Sequence, residues 1–403
     1  MAFTENRIDL DFFGMFSAPS ICDKHPETFC LTVHMKEPVN SEVLQQASDD
    51  LFRRLPFLSG RLNSDKRGFY YETIQEFPEI TLEKKPHDFN MFYKTGKGYL
   101  LRVLYAERHI KIETAHFVID GRGLSKIANA LIVRYFELLG VSADKTNFID
   151  CDDVFKAEEM EDAVLRFADT YNPHKPKVKE PKMAYKSGYK KSAATWTASR
   201  QFKLDAIKSK AKLYGLSITG YLALSIFKAL EEERNATGNK KPIVATLPID
   251  CRSFFPTQTL RNFAYSKNII MPESVGYEQM AQQIKSQLTE IDSDYIQEAL
   301  NDLKMAMDAF QKIPFKLRNF IIRWVKRSQF KKVTFVLSSL GLAKLPKEIT
   351  ERIDMLEFLC SPEVYHPYTF SCISFGNTLT LSVSAVTTDK KTVEKIFEQI
   401  AAT

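Results

Sequence analysis

Between His109 and Leu139 the periodicity of the sequence changes from two to 3.6 across a single short turn, His116-Phe-Val-Ile-Asp-Gly121. Strand alternation sets Ile110, Ile112, Thr114 and His116 on one face, with Lys111, Glu113, Ala115 and Phe117 on the other. The imidazole thus continues an inward row. Gly121 is expected to turn the chain with a positive φ. Beyond it Leu124, Ile127, Ala128, Leu131 and Ile132 recur at helical spacing over 123–139. A strand feeding an amphipathic helix through so tight a turn must pack that helix back on a sheet, which requires a mixed α/β architecture. Such strand ends are where α/β proteins present reactive side chains.

The second half repeats this order. A hairpin over 368–386, with Gly376-Asn377 in its turn, leads into a terminal helix from about Thr392, as strands at 100–106 and 109–117 with turn Glu107-Arg108 lead into the first helix. With Asp389 laid over Asp120, Ala385 falls where His116 sits. Two similar domains with one histidine predict one site, in the cleft where the halves meet. Other expected elements are a strand at 28–35 and a helix from Ser41, its N-cap, to Arg54. Later come strands at 196–203 and 243–248, helices at 204–213 and 217–233, a mainly helical stretch over 277–330 and a strand at 334–338.

At 403 residues the chain should form two domains, placed at 1–171 and 193–403. Between them 172–192 holds three prolines and seven lysines against one glutamate, the composition of a linker. It reads as a solvated crossover strap, with a basic lip facing phosphates as the alternative. The six cysteines never fall in CxxC spacing and the remaining histidines show no metal spacing, so no metal site is expected. A net charge of +6 without an arginine-rich block favours a small anionic ligand over nucleic acid. No run of eighteen apolar residues and no basic-then-apolar N-terminus is present, so a cytoplasmic location is expected. Phe315 to Arg327 mixes large apolar residues with cations; it reads as a helix packed on its own domain, and peripheral membrane contact is the alternative.

HxxxDG, then Pro248-x-Asp250-x-Arg252, then Arg261-Asn-Phe263 together resemble the chloramphenicol-acetyltransferase-like superfamily, which includes condensation domains, BAHD acyltransferases and alcohol O-acetyltransferases. Leu55-Pro-Phe-Leu-Ser-Gly-Arg-Leu62 and Ser338-Ser-Leu-Gly341 are similar to further passages of these enzymes. Ala115 replaces the first histidine of the pair usual in condensation domains, and no Asp-Phe-Gly-Trp-Gly is present; both departures point to the alcohol-acetyltransferase-like branch. The resemblance implies two sandwiched α/β domains with a tunnel between them. It also implies an acyl-CoA-dependent O-acyltransferase with acyl-CoA as co-substrate, transferring an acyl group, acetyl among the candidates, to a small alcohol; an amine acceptor stays open.

Such a reaction lacks a nucleophile rather than an electrophile, because an acceptor hydroxyl is barely ionised at neutral pH while a thiolate leaves readily. His116 suits the general base, and no serine or cysteine nucleophile is required. Asp120, in similar enzymes, points away from the base to an arginine, here Arg252; a bidentate pair is expected to hold the turn. Gly123 is expected to let substrate approach the helix start. Candidates for stabilising the oxyanion are Ser338, Ser339, Asn262, Asn268 and Tyr265, and Lys186, Lys190 and Lys191 are candidates for the CoA phosphates. Cys251 reads as a buried structural thiol. The rival readings are a condensation-type enzyme taking its acyl group from an acyl carrier protein, and a non-catalytic binding protein on the same fold.

Overall fold

Six strands make the largest sheet, in the order Ala264–Met271, Ile243–Asp250, Phe335–Leu342, Tyr368–Phe375, Thr378–Ala385 and Trp196–Lys203. The computed structural model describes residues 7–22, 25–85, 89, 91–94, 98–169, 180–188, 195–363, 365–388 and 390–402. A five-stranded sheet runs Ile353–Cys360, Thr28–Met35, His109–Ala115, Leu101–Ala106 and Thr81–Leu82. Arg7–Asp9, Phe69–Thr73 and Gly60–Ser64 form a small third sheet.

One of the three sheets crosses a boundary near 171–193, while the other two lie each on one side of it. Ile353–Cys360, from the second half of the chain, pairs antiparallel with Thr28–Met35, from Ile353 opposite Met35 to Cys360 opposite Phe29. Ile-Asp-Met-Leu-Glu-Phe-Leu-Cys breaks strand alternation, so the sequence does not mark this strand. The two halves are therefore joined by a ladder of main-chain hydrogen bonds.

Each large sheet is covered by helices that bury one apolar stripe. In the first half Leu44, Leu51 and Phe52 of Ser41–Arg54 and Leu124, Ile127 and Leu131 of Gly121–Leu138 pack with Phe29, Leu31 and Val33 of the sheet. Burying one such side chain stabilises the fold by about 1.5–3 kcal/mol, so this layer holds the motif helix in place. In the second half Tyr221, Leu224 and Phe227 of Ile218–Ala236 pack with Phe335, Phe370 and Val383. The cap of Ser41–Arg54 is Asn40 rather than Ser41, its side chain accepting from the amides of Glu42 and Val43. Gly376 takes φ +55 in the hairpin turn, a conformation that glycine reaches without a Cβ clash. Among the described residues no single helix is long and apolar enough to cross a membrane.

Candidate active site

His116 lies one residue past the strand His109–Ala115, where the ladder ends. Its main-chain amide donates to the carbonyl of Glu27 at 2.7 Å. Glu27 has φ +50, the one positive value among the described non-glycine residues, so a strained residue pins the strand end. The Glu27 side chain is buried against Lys326 and His25, and His25 also meets Glu363 at 2.9 Å. That ionic cluster joins the N-terminal segment, the helix Phe315–Phe330 and the loop after Ile353–Cys360, which is enough to explain the strain.

The imidazole is held between two aromatic rings, Phe13 stacked at 4.4 Å between centroids and Phe29 tilted at 4.7 Å. Nδ1 is closed off from solvent and without a hydrogen-bond partner, while the residue as a whole is half-buried. Burial is the largest influence on the ring and lowers its pKa below 6.5; its own main chain, Asp120, Glu363 and the Asn262 side chain pull more weakly the other way. The ring is neutral at pH 7. A neutral, half-buried imidazole at a strand end is equipped to take a proton.

Asp120 turns away from the imidazole. Its Oδ1 accepts the Gly123 amide at 2.8 Å, capping the helix Gly121–Leu138, and its Oδ2 accepts Arg252 Nη1 and the Phe263 amide, each at 2.8 Å. The expected bidentate pair with Arg252 is therefore a single contact, because the helix terminus already occupies Oδ1. The same Nη1 also donates to Asp250 Oδ1 at 3.0 Å, and Nε and Nη2 donate to the carbonyls of Thr259 and Arg261. One buried arginine thus fastens the whole loop of 250–261 to the turn that carries the histidine.

Whole-chain matches to solved structures follow the same plan. The structure of TRI101 of F. sporotrichioides complexed with coenzyme A and T-2 matches at TM-score 0.65 and 13% identity, over 99% of this chain and 98% of that one. Polyketide synthase associated protein 5 from Mycobacterium tuberculosis matches at TM-score 0.62 and 15% identity, over 98% of this chain and 97% of that one. The condensation domain of the Monacolin K polyketide synthase MokA matches at 0.59 and 11% identity, over 98% and 96%. No family model matches the sequence, and no curated protein matches it significantly. The chain has the chloramphenicol-acetyltransferase-like fold.

On this fold three residues that the sequence did not single out shape the site. Asp11 caps the short helix Phe12–Ser17 by accepting the Gly14 amide at 2.8 Å, while its other oxygen meets the Asn262 amide and side chain at 3.3 and 3.2 Å. Burial raises Asp11 to about 6 despite the opposing pull of Arg261. The cap places Phe13 over His116, and Glu27 holds its main chain. A faint signal existed: Asp11-Phe-Phe-Gly14 has the same Asp-x-x-Gly spacing as Asp120-Gly-Arg-Gly123, both being caps with the glycine amide as donor.

Several expectations are corrected. Gly121 does not take a positive φ; it is the first helical residue, and a Cβ there would lie 2.7 Å from Leu340 Cδ2. Gly123 faces the chain's own Leu260 carbonyl, 2.1 Å from where a Cβ would sit, rather than a substrate. Gly123→Ala is accordingly expected to lose at least about 1–3 kcal/mol of stability, read as a lower midpoint in denaturant, because the obstacle is backbone. An unchanged midpoint would show that the loop yields freely.

Lys186 is not available to a phosphate, since its ammonium is spent on the carbonyls of Phe330, Val333 and Tyr365. Burial pushes it down to about 7, and it acts as a strap fastener. Lys190 and Lys191 lie outside the described residues. Arg122, Lys126 and Arg166 line a cleft of about 580 Å³ beside Asp250 and Arg252. Of the oxyanion candidates, Asn262 comes to the imidazole. Asn268 is engaged by Thr246 and Glu180, and Tyr265 packs edge-on against Tyr295. Ser338 and Ser339 lie in the strand Phe335–Leu342. Cys251 is buried with its thiol pushed up to about 12, no nucleophile at neutral pH.

Proposed function

We propose that this chain is an acyl-CoA-dependent acyltransferase in which His116 is the general base and Asp120 and Arg252 position it. The observation that carries this reading is a half-buried imidazole with a lowered pKa and Nδ1 closed off, held at a strand end by main chain and flanking rings. In the reaction Nε2 takes the acceptor hydroxyl proton as the oxygen attacks the thioester carbonyl. Collapse of the tetrahedral adduct breaks the carbon–sulfur bond, and the thiolate recovers the proton from the imidazolium. Ester and free thiol result, with no acyl-enzyme. The TRI101 complex with coenzyme A and T-2, and the trichothecene 15-O-acetyltransferase TRI3 (TM-score 0.60, 11% identity, 98% of this chain and 95% of that one), support a CoA thioester and a hydroxyl acceptor.

The test is thiol release from acetyl-CoA and longer thioesters in the presence of alcohol and amine panels. Release that depends on an acceptor is the expected result, and release no faster than the blank across both panels would overturn the reading. Its pH profile has a determined sign. The base works as the neutral ring and its pKa is lowered, so kcat/KM should hold at pH 7 and fall only as the pH drops below 6.5. Stability follows the same direction. Below 6.5 the unfolded chain binds a proton at this histidine that the folded chain refuses, so the contribution present above 6.5 is lost as pH falls through the folded value. An acid limb centred above 6.5 would contradict this assignment.

A further inference from the structure

The helix Phe315–Phe330 is built inside out. Its buried positions are Arg318, Ile322 and Lys326, two of them cations, whereas Leu317, Phe320 and Trp324 stand 53%, 68% and 67% exposed. At 100° per residue these three, with Lys316, Arg323, Arg327 and Lys331, fall within about 120° of arc on the outer side. A helix folded only for its own domain would turn Phe320 and Trp324 inward. Here the inner cations are used as tethers, Arg318 to the Arg67 carbonyl and Lys326 to Glu27.

Charge singles out the same stretch. Ala309–Val333 holds eight lysines and arginines and no acid, while the rest of the chain has 48 cations against 50 acids. The net positive charge of the protein is therefore located here. We propose that this outer face docks on an anionic phospholipid surface. Large apolar side chains flanked by cations on one helix face match the acyl boundary and headgroup layer respectively, and a tryptophan is suited to that interface. The half to two-thirds exposure of Leu317, Phe320 and Trp324 makes them a projecting ridge, which fits insertion among lipids better than seating against a folded partner.

The docked face is coupled to the site. The guanidinium of Arg323 donates to the Pro19 carbonyl, and Lys326 holds Glu27, whose own carbonyl holds His116. Pro19 follows directly on Phe12–Ser17, whose Phe13 lies on the imidazole. Resting on the acyl-transfer reading, the acceptor class is then an apolar alcohol partitioned into the membrane.

The chain has two tryptophans, and Trp196 is tied to the Thr387 carbonyl, so Trp196→Phe leaves Trp324 as the sole reporter. Mixed with phosphatidylcholine vesicles containing about 30% phosphatidylserine, that protein should co-sediment and its emission should shift to the blue; pure phosphatidylcholine should do neither. Lys316→Glu with Arg327→Glu, and separately Leu317→Ser with Phe320→Ser, should each weaken binding at least about tenfold. No shift, equal binding by both variants, or binding to an acidic acyl carrier protein but not to vesicles would overturn the proposal. The measurement needs no acyl donor, so it stands or falls apart from turnover. With turnover in hand, anionic vesicles should raise kcat/KM at least about tenfold for a long-chain alcohol and not for a short one; an equal effect on both would overturn the acceptor class.

Discussion

Replacing His116 with alanine is expected to lower kcat/KM for thiol release by about 10²–10⁴, or about 3–5.5 kcal/mol of transition-state stabilisation. The loss should fall on kcat, because the proton moves only as the acceptor oxygen attacks and the ring contributes little to ground-state binding. Stability should change by about 1 kcal/mol or less, since the ring is half-buried and its main-chain bond to Glu27 survives the substitution. His116→Ala with wild-type turnover would remove the imidazole from the mechanism, whatever the fold.

Asp120→Ala should do the opposite in order of severity. The carboxylate is buried and satisfies three donors, the Gly123 and Phe263 amides, which lose their partner, and the Arg252 guanidinium, which keeps only the Asp250 carboxylate as counter-charge. Leaving Arg252 buried without that charge is expected to destabilise the fold by about 3–5 kcal/mol, seen as a lower denaturant midpoint with unchanged slope. Activity should fall with it, because the loop of 250–261 and the turn bearing His116 are fastened at this point. Asp120→Asn separates the contributions. Asparagine still caps the helix through Oδ1 but turns an NH2 group toward the Phe263 amide and Arg252, so it should recover only the share of the stability that belongs to the cap. If Asp120→Ala melts as the wild type does, the ion pair is not what holds the turn.

Much of the architecture was legible because it is local. The switch of period at His116, the stripe Leu124–Ile132 and the Gly376-Asn377 hairpin each place their information within a few neighbouring residues, and the elements formed where that pattern lay. The motif glycines show the limit. By sequence Gly121 and Gly123 suggest freedom of the turn or room for substrate, yet Leu340 and Leu260, far along the chain, come against both. Lys186 reads as a surface cation by composition and becomes a half-buried fastener only because three carbonyls from 330 to 365 converge on it.

By itself the sequence determined which residues carry reactive groups and where strands pass into helices, since periodicity, caps and turn residues act over a handful of positions. Tertiary structure alone decided what surrounds the imidazole: Phe13 and Asp11 from the first helix, Glu27 in its strained conformation, Asn262, and the strand Ile353–Cys360 that binds the halves together. The physical reason is that burial and partner geometry, which shift the pKa of His116 and direct Asp120 away from it, arise from contacts between segments more than a hundred residues apart. No local pattern encodes such contacts, because each segment would read the same with a different neighbour.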